Sequence, residues 1–150
     1  EREAAITSAG AAESGKILAL NGDGLVDPSM LPSSDSTSYP TTENLAAGDL
    51  VNVFDNGGVT SLRKADNSNG REANGYVGAG STSPANNTML RDGVNNNATG
   101  LTIGDPVFLG IAGAPTQNPA VGGGNILQQV GVAESATSYA FEQGECIERA

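Results

Sequence analysis

The sequence contains no histidine. That excludes Ser–His and Cys–His nucleophilic pairs and every metal site built on imidazole. A single cysteine, Cys146, precludes an intrachain disulfide. Tryptophan is absent, and Tyr and Phe number three each, so no aromatic platform for sugars stands out. Seven Lys and Arg stand against seventeen Asp and Glu, a formal net charge of -10, which argues against a nucleic-acid partner. No apolar stretch approaches the roughly 18 residues of a membrane span, so no membrane partner is expected. No charged-then-apolar signal peptide opens the sequence, and its first residue is not Met.

Core-forming side chains are also few. Leu, Val, Ile and Phe make up 30 of 150 residues. Glycine and alanine supply much of the remaining apolar content, and they bury little area each. The length suits one domain with an arm rather than two full domains. A thin core is expected, helped by association with other subunits.

Residues 1–13 read as a weak helix or a disordered arm, because alanine favours helix but a turn or two is marginal in isolation. Ile17-Leu18-Ala19-Leu20 is then a short apolar run, Asn21-Gly22-Asp23-Gly24 is turn chemistry, and Leu25-Val26 resumes the apolar pattern. Pro28 and Pro32 forbid regular strand or long helix after it. This segment reads as a small hairpin or extended piece ending on Leu31-Pro32. The Ser/Thr-rich stretch that follows reads as polar linker. The expected organisation is an N-terminal arm over 1–34, a linker over 35–43 and a β domain over 44–150.

From residue 44 short β-type runs alternate with turn clusters. Asp49 to Phe54 is a strand, Asp55-Asn56-Gly57-Gly58 a hairpin turn, and Val59 to Lys64 the partner strand. Further strands are read at 75–79, 88–91, 106–110 and 126–133, and 139–141 and 146–148 are read as pieces that close the sheet. Strand signals at this spacing with no long helical period predict an all-β fold, a small β-sandwich or barrel with an extended N-terminal arm. Leu45 to Val53 lines up with Leu101 to Leu109 at an offset of 56, and Gly75 to Ala79 lines up with Gln129 to Val132 at an offset near 53. Two similar halves predict a pseudo-twofold barrel or sandwich. The alternative is that Gly-Asp before a strand is common turn chemistry.

Motifs with chemical potential are incomplete. Gly10 to Lys16 fits G-x-x-x-x-G-K, but Ile17 replaces the magnesium-binding hydroxyl and no strand–loop–helix frame surrounds it. Asn21, Asp23, Gly24 and Asp27 match the centre of a calcium loop. Ala19 and Met30 occupy the positions of its first carboxylate and its bidentate glutamate, so plain turn chemistry accounts better for the segment. Asn86-Asn87-Thr88 and Asn97-Ala98-Thr99 are formal glycosylation sequons that read as loops. Cys146 lies near Glu145 and Glu148, which suppress its thiolate, and it reads as a small, partly buried apolar residue. Asp23 with Asp27, and Glu142 with Glu145, are carboxylate pairs that nothing in the sequence places in a pocket. The expectation is a structural or binding module, not an enzyme, with no catalytic residues, no cofactor and no metal.

Ser14 to Pro32 resembles a module of the form GK-ϕ-x-x-x-N-x-x-G-ϕ-ϕ-D-x-x-ϕ-L-P (ϕ apolar) found in capsid decoration proteins and tail fibres of tailed phages. The stretches Ala47 to Val53, Leu62 to Asp66, Ala73 to Val77, Gly100 to Val107, Gln129 to Ala133 and Phe141 to Glu145 resemble the phage decoration, or cement, protein family. The ordered series spans most of residues 14–148. The resemblance implies a protein on the outer surface of the virion's capsid, bound at junctions between major capsid protein subunits and stabilising the shell. It implies the major capsid protein and further copies of the chain as partners, with a homotrimer as the oligomer. A tail-fibre or receptor-binding accessory module is the alternative, although the chain has neither coiled-coil nor β-helical repeats.

Ile17, Leu18, Leu20, Leu25, Val26, Met30 and Leu31 cannot bury one another in so short a segment. They need a surface on the β domain, a sister subunit or the capsid. The expectation is that the arm makes capsid or subunit contacts, with Lys16 pairing a capsid carboxylate. The competing reading is that 14–32 caps the β domain's own open end.

Overall fold

The computed structural model describes residues 4, 5, 17, 18, 20, 24–26, 36–119 and 121–150. The chain divides into two units, Glu1–Ser34 and Asp35–Ala150. In the first, β1 (Ala4–Ala5) pairs in parallel with β2 (Ile17–Leu18). The helix or disorder expected over 1–13 is replaced at Ala4–Ala5 by a strand. Two alanines cannot nucleate a helical turn, whereas an extended neighbour offers them backbone partners. Gly24, at φ +75°, sits in a bend, as the turn chemistry around it requires.

The second unit is all-β; no helix occurs among the described residues. Its first sheet holds β3 (Ser36–Pro40), β4 (Leu50–Asp55), β5 (Thr60–Lys64), β6 (Gly75–Val77) and β7 (Asn86–Leu90), in the order β3-β7-β6-β4-β5. Its second sheet holds β8 (Val94–Asn95), β9 (Pro106–Leu109), β10 (Pro115–Thr116), β11 (Ile126–Ala133) and β12 (Tyr139–Phe141), in the order β10-β9-β11-β12-β8. β13 (Cys146–Glu148) pairs with the first half of β11. Every neighbouring pair in both sheets is antiparallel.

Adding five to each strand number of the first sheet gives the order of the second, so the unit is internally duplicated. The duplication reaches individual bonds. Gly48 N–H donates to Val77 O at 2.7 Å and Val77 N–H to Asp49 O at 3.0 Å. Fifty-six residues on, Gly104 N–H donates to Ala133 O at 2.9 Å and Ala133 N–H to Asp105 O at 3.0 Å. Gly48 and Gly104 share a left-handed backbone, φ +88° and +85°. The register also corrects the second alignment. Val51 faces Gly75 and Val107 faces Gly131, so Gly75 answers to Gly131 at the same offset of 56, not near 53. A bulge between Gln129 and Gly131 displaces the local match.

Strict alternation puts two apolar sets on opposite faces of the first sheet. Val51, Leu62, Val77 and Met89 fill its inner face with Leu45, Tyr39 and Val53. The sheet curls around them into a half-barrel, and a bridge between Thr41 and Leu62 draws the β3 side to β5. Leu50 and Tyr76, with Leu90 beside them, point outward and meet the inner face of the second sheet: Val107, Leu109, Val130, Tyr139 and Phe141. The Tyr76 and Phe141 rings lie 5.4 Å apart. The two repeats therefore share one core, and the second sheet stays open because the outside of the first fills it.

Residues 35–43, expected as a polar linker, contain β3. The Ser/Thr composition that reads as linker also suits an edge strand, where β-branched Thr37 and aromatic Tyr39 turn inward and Ser38 faces solvent. Pro40 ends it at the sheet edge, where a missing donor costs least.

In the β9–β10 turn, Ala112 holds φ +51° with its methyl exposed, and its N–H donates to Asp66 Oδ2 at 3.1 Å. Burial pushes the Asp66 carboxyl up, but hydrogen bonds from Ser68 and Ala112 and the nearby Arg71 outweigh it and hold it below its ordinary value. A left-handed alanine costs about 1 kcal/mol, offset in part by the entropy a glycine loses on folding. Ala112→Gly is expected to raise stability by about 0.5 kcal/mol, read as a higher urea midpoint. A lower midpoint would refute the strain assigned to this turn.

Candidate functional site

The eight arm residues expected to dock fall unevenly. Leu20 is 56% exposed and Leu25 63%, and Val26 is half-buried. Ile17 and Leu18 form β2. Lys16, Met30 and Leu31 lie outside the described residues, as do the Gly10 to Lys16 motif and Asn21, Asp23 and Asp27.

Within the β unit the candidate chemical groups are solvent-facing. Glu142 and Glu145, a pair that nothing in the sequence places in a pocket, lie on the surface and line an open cavity of about 340 Å³ with Gln129, Gly131 and Gly144. Both carboxylates are exposed, and among the described residues no group of three or more Cys, Asp or Glu is placed to hold a metal. Cys146, expected partly buried, is exposed on β13. Its strand pairs with the first half of β11, with Cys146 opposite Gln128. Partial burial of the sulfur, then the Glu72 and Glu148 carboxylates, push its thiol up and suppress the thiolate. Asn86, expected in a loop, sits in β7, and Asn97 lies exposed after β8.

Buried polar groups serve the fold instead. Asn95 Nδ2 donates to Gly48 O at 2.9 Å and to the Tyr139 hydroxyl at 3.0 Å, joining the repeats. Burial pushes the Tyr139 hydroxyl far up, so it stays protonated. Asn67 Nδ2 donates to Leu109 O at 2.9 Å, and Gln128 bonds both polar atoms of the Ala73 backbone. These bonds are joints between the repeats.

A surface that sequence reasoning missed emerges from the duplication. In the first sheet Leu50, Tyr76, Leu90 and Ser36 stand side by side across β4, β6, β7 and β3. Leu50 and Tyr76 are buried there under the second sheet. Their counterparts Pro106, Val132, Ala140 and Val94 form the same row across β9, β11, β12 and β8. Directly opposed residues of antiparallel strands share a face. This row lies on the outer side of the second sheet. Pro106 is exposed, Val132 is 43% exposed and Val94 40%. The signal was present in the offset of 56, which assigns Pro106 to the position of buried Leu50.

No family model matches the chain. No curated protein matches it. Among solved structures, the N base of head fiber gp8.5 of bacteriophage phi29 is similar to it with a TM-score of 0.48 and 11% sequence identity, over 73% of this chain and 95% of that one.

Proposed function

We propose that this chain is a structural protein of a tailed-phage head, decorating the outer surface of the shell at junctions between major capsid protein subunits and stabilising it. The reading rests first on the ordered motif series from Ser14 to Glu145 that resembles decoration proteins. The structural observation that carries it is the arm. Leu20 and Leu25 stand largely exposed in a unit distinct from the β unit, whose described core clusters are built from residues 39–141. Apolar side chains presented this way need a surface to cover them. The role is structural rather than catalytic, and the copies act as a homo-oligomer, a trimer on the resemblance.

The test is a mixing experiment with undecorated expanded heads. The full chain is expected to bind saturably in many copies and to raise the melting temperature of the shell. Residues 35–150 alone, which contain every described core residue, are expected to fold and to lose that binding. Undiminished binding by 35–150 would refute the arm's role. Binding to host cells in place of heads would turn the reading to the tail-fibre alternative.

A further inference from the structure

We infer that the outer face of the second sheet is a docking surface for a basic protein surface with an apolar centre. Pro106, Val132, Ala140 and Val94 provide the apolar row, and Glu134 and Glu142 provide its acidic rim. The inference rests on the head reading for where the partner is found, and it names the chemistry that partner must show.

Two independent observations meet at this face. The first is the row itself. In the first repeat Leu50 and Tyr76 of this row are buried under the second sheet, and in the second repeat their counterparts Pro106 and Val132 are exposed, as is Val94, with Ala140 half-buried. A strand position facing water usually carries a polar residue, yet four adjacent strands place Pro, Val, Ala and Val there. The second is charge. Residues 35–91 carry four Lys and Arg against six carboxylates, whereas between Asp92 and Glu148 there are six carboxylates and no Lys or Arg. Glu134 and Glu142 are both exposed, and each stands two residues along the chain from a member of the row, the spacing that keeps a strand residue on one face.

That distribution selects the occupant. Face-to-face pairing of two copies would bring two sets of carboxylates together with no Lys or Arg among residues 92–148 of either copy to neutralise them. A surface that presents Lys and Arg around an apolar patch satisfies both features. The carboxylates would steer its approach and the row would hold it once water leaves. The arm and this face would then grip the head at two places, which multiplies affinity without requiring either contact to be strong.

The test uses the full chain with bare expanded heads. Val132→Asp places a charge at an exposed strand position and is expected to lower head affinity about 100-fold, with the thermal melt and solution mass unchanged. Glu134→Lys combined with Glu142→Lys is expected to slow association and to flatten its salt dependence. Head binding by Val132→Asp equal to the parent's overturns the inference and leaves the head reading standing. A change in solution mass on Val132→Asp also overturns it, because the face would then be a contact between copies. If the parent chain does not bind heads at all, the head reading fails and a second probe decides the inference. A short peptide of alternating Lys and Leu is titrated into the isotope-labelled protein. Amide shifts centred on Val94, Val132 and Ala140 support the surface; shifts elsewhere, or none, overturn it.

Discussion

Gly131→Ala is expected to unfold the β unit, lowering stability by about 4 kcal/mol or more, at the far end of single-residue effects. Gly131 lies at φ +149°, a conformation L side chains rarely adopt. A β-carbon there would fall inside the carbonyl oxygen of Ala140 on β12, and would also press on the Tyr139 ring. Neither neighbour can yield: Tyr139 is fully buried, and the β11–β12 pairing runs through these residues. Gly75 meets the same constraint in the first repeat, where a β-carbon would sit 2.5 Å from Leu90 O and from Met89 Cγ. Leu90 and Ala140 are counterparts, so the two repeats keep one solution to one steric problem. Gly75→Ala is therefore expected to cost nearly as much, about 3 kcal/mol. Gly78→Ala is the control, since its β-carbon would meet only Leu90 Cδ1 at 3.4 Å. A urea midpoint for Gly131→Ala equal to that of Gly78→Ala would refute the steric account.

The long strands were legible because apolar alternation and turn residues agree there. β4, β5, β9, β11 and β12 fall where the runs at 49–54, 59–64, 106–110, 126–133 and 139–141 place them. Asp55, Asn56, Gly57 and Gly58 turn the first hairpin as their chemistry requires. β8 and β10 were illegible because they have two residues each, too few for any period, and owe their extension to partners distant in sequence. β3 was hidden by its polar composition, which an edge strand and a linker share. The duplication was visible at Gly48-Asp49 and Gly104-Asp105, and blurred at Gly131 because the bulge shifts the match by local register. The docking face could not be read from either repeat alone. Pro106 and Val132 look like core positions until the structure shows which face of the second sheet the first one occupies.

Gln128→Leu should destabilise the β unit by about 4 kcal/mol although it replaces a polar core residue with an apolar one of similar size. Gln128 is fully buried on β11. Its Oε1 accepts from Ala73 N–H at 2.7 Å, and its Nε2 donates to Ala73 O at 3.0 Å and to Gly144 O at 3.2 Å. One side chain thus satisfies both backbone groups of a residue that is itself fully buried in the shared core. Leucine would fill the space and leave Ala73 N–H and C=O without partners, each costing about 1–3 kcal/mol where water cannot reach. The apolar gain of the exchange offsets only part of that. Gln128→Glu is worse placed still, because a carboxylate has no donor for Ala73 O and carries charge into the core. The expected readouts are a lower urea midpoint and faster hydrogen exchange at the Ala73 amide than in the parent protein. An unchanged midpoint with a protected Ala73 amide would show that another group takes over the bond. The joint also governs how the repeats unfold. Leu50 and Tyr76 of the first repeat and Val130 and Phe141 of the second lie in one cluster, so the second repeat has no core without the first, and the first, which keeps the cluster around Val51 and Met89, exposes Leu50 and Tyr76 without the second. Unfolding is therefore expected to remain a single transition in the parent chain, and Gln128→Leu should shift that transition without splitting it.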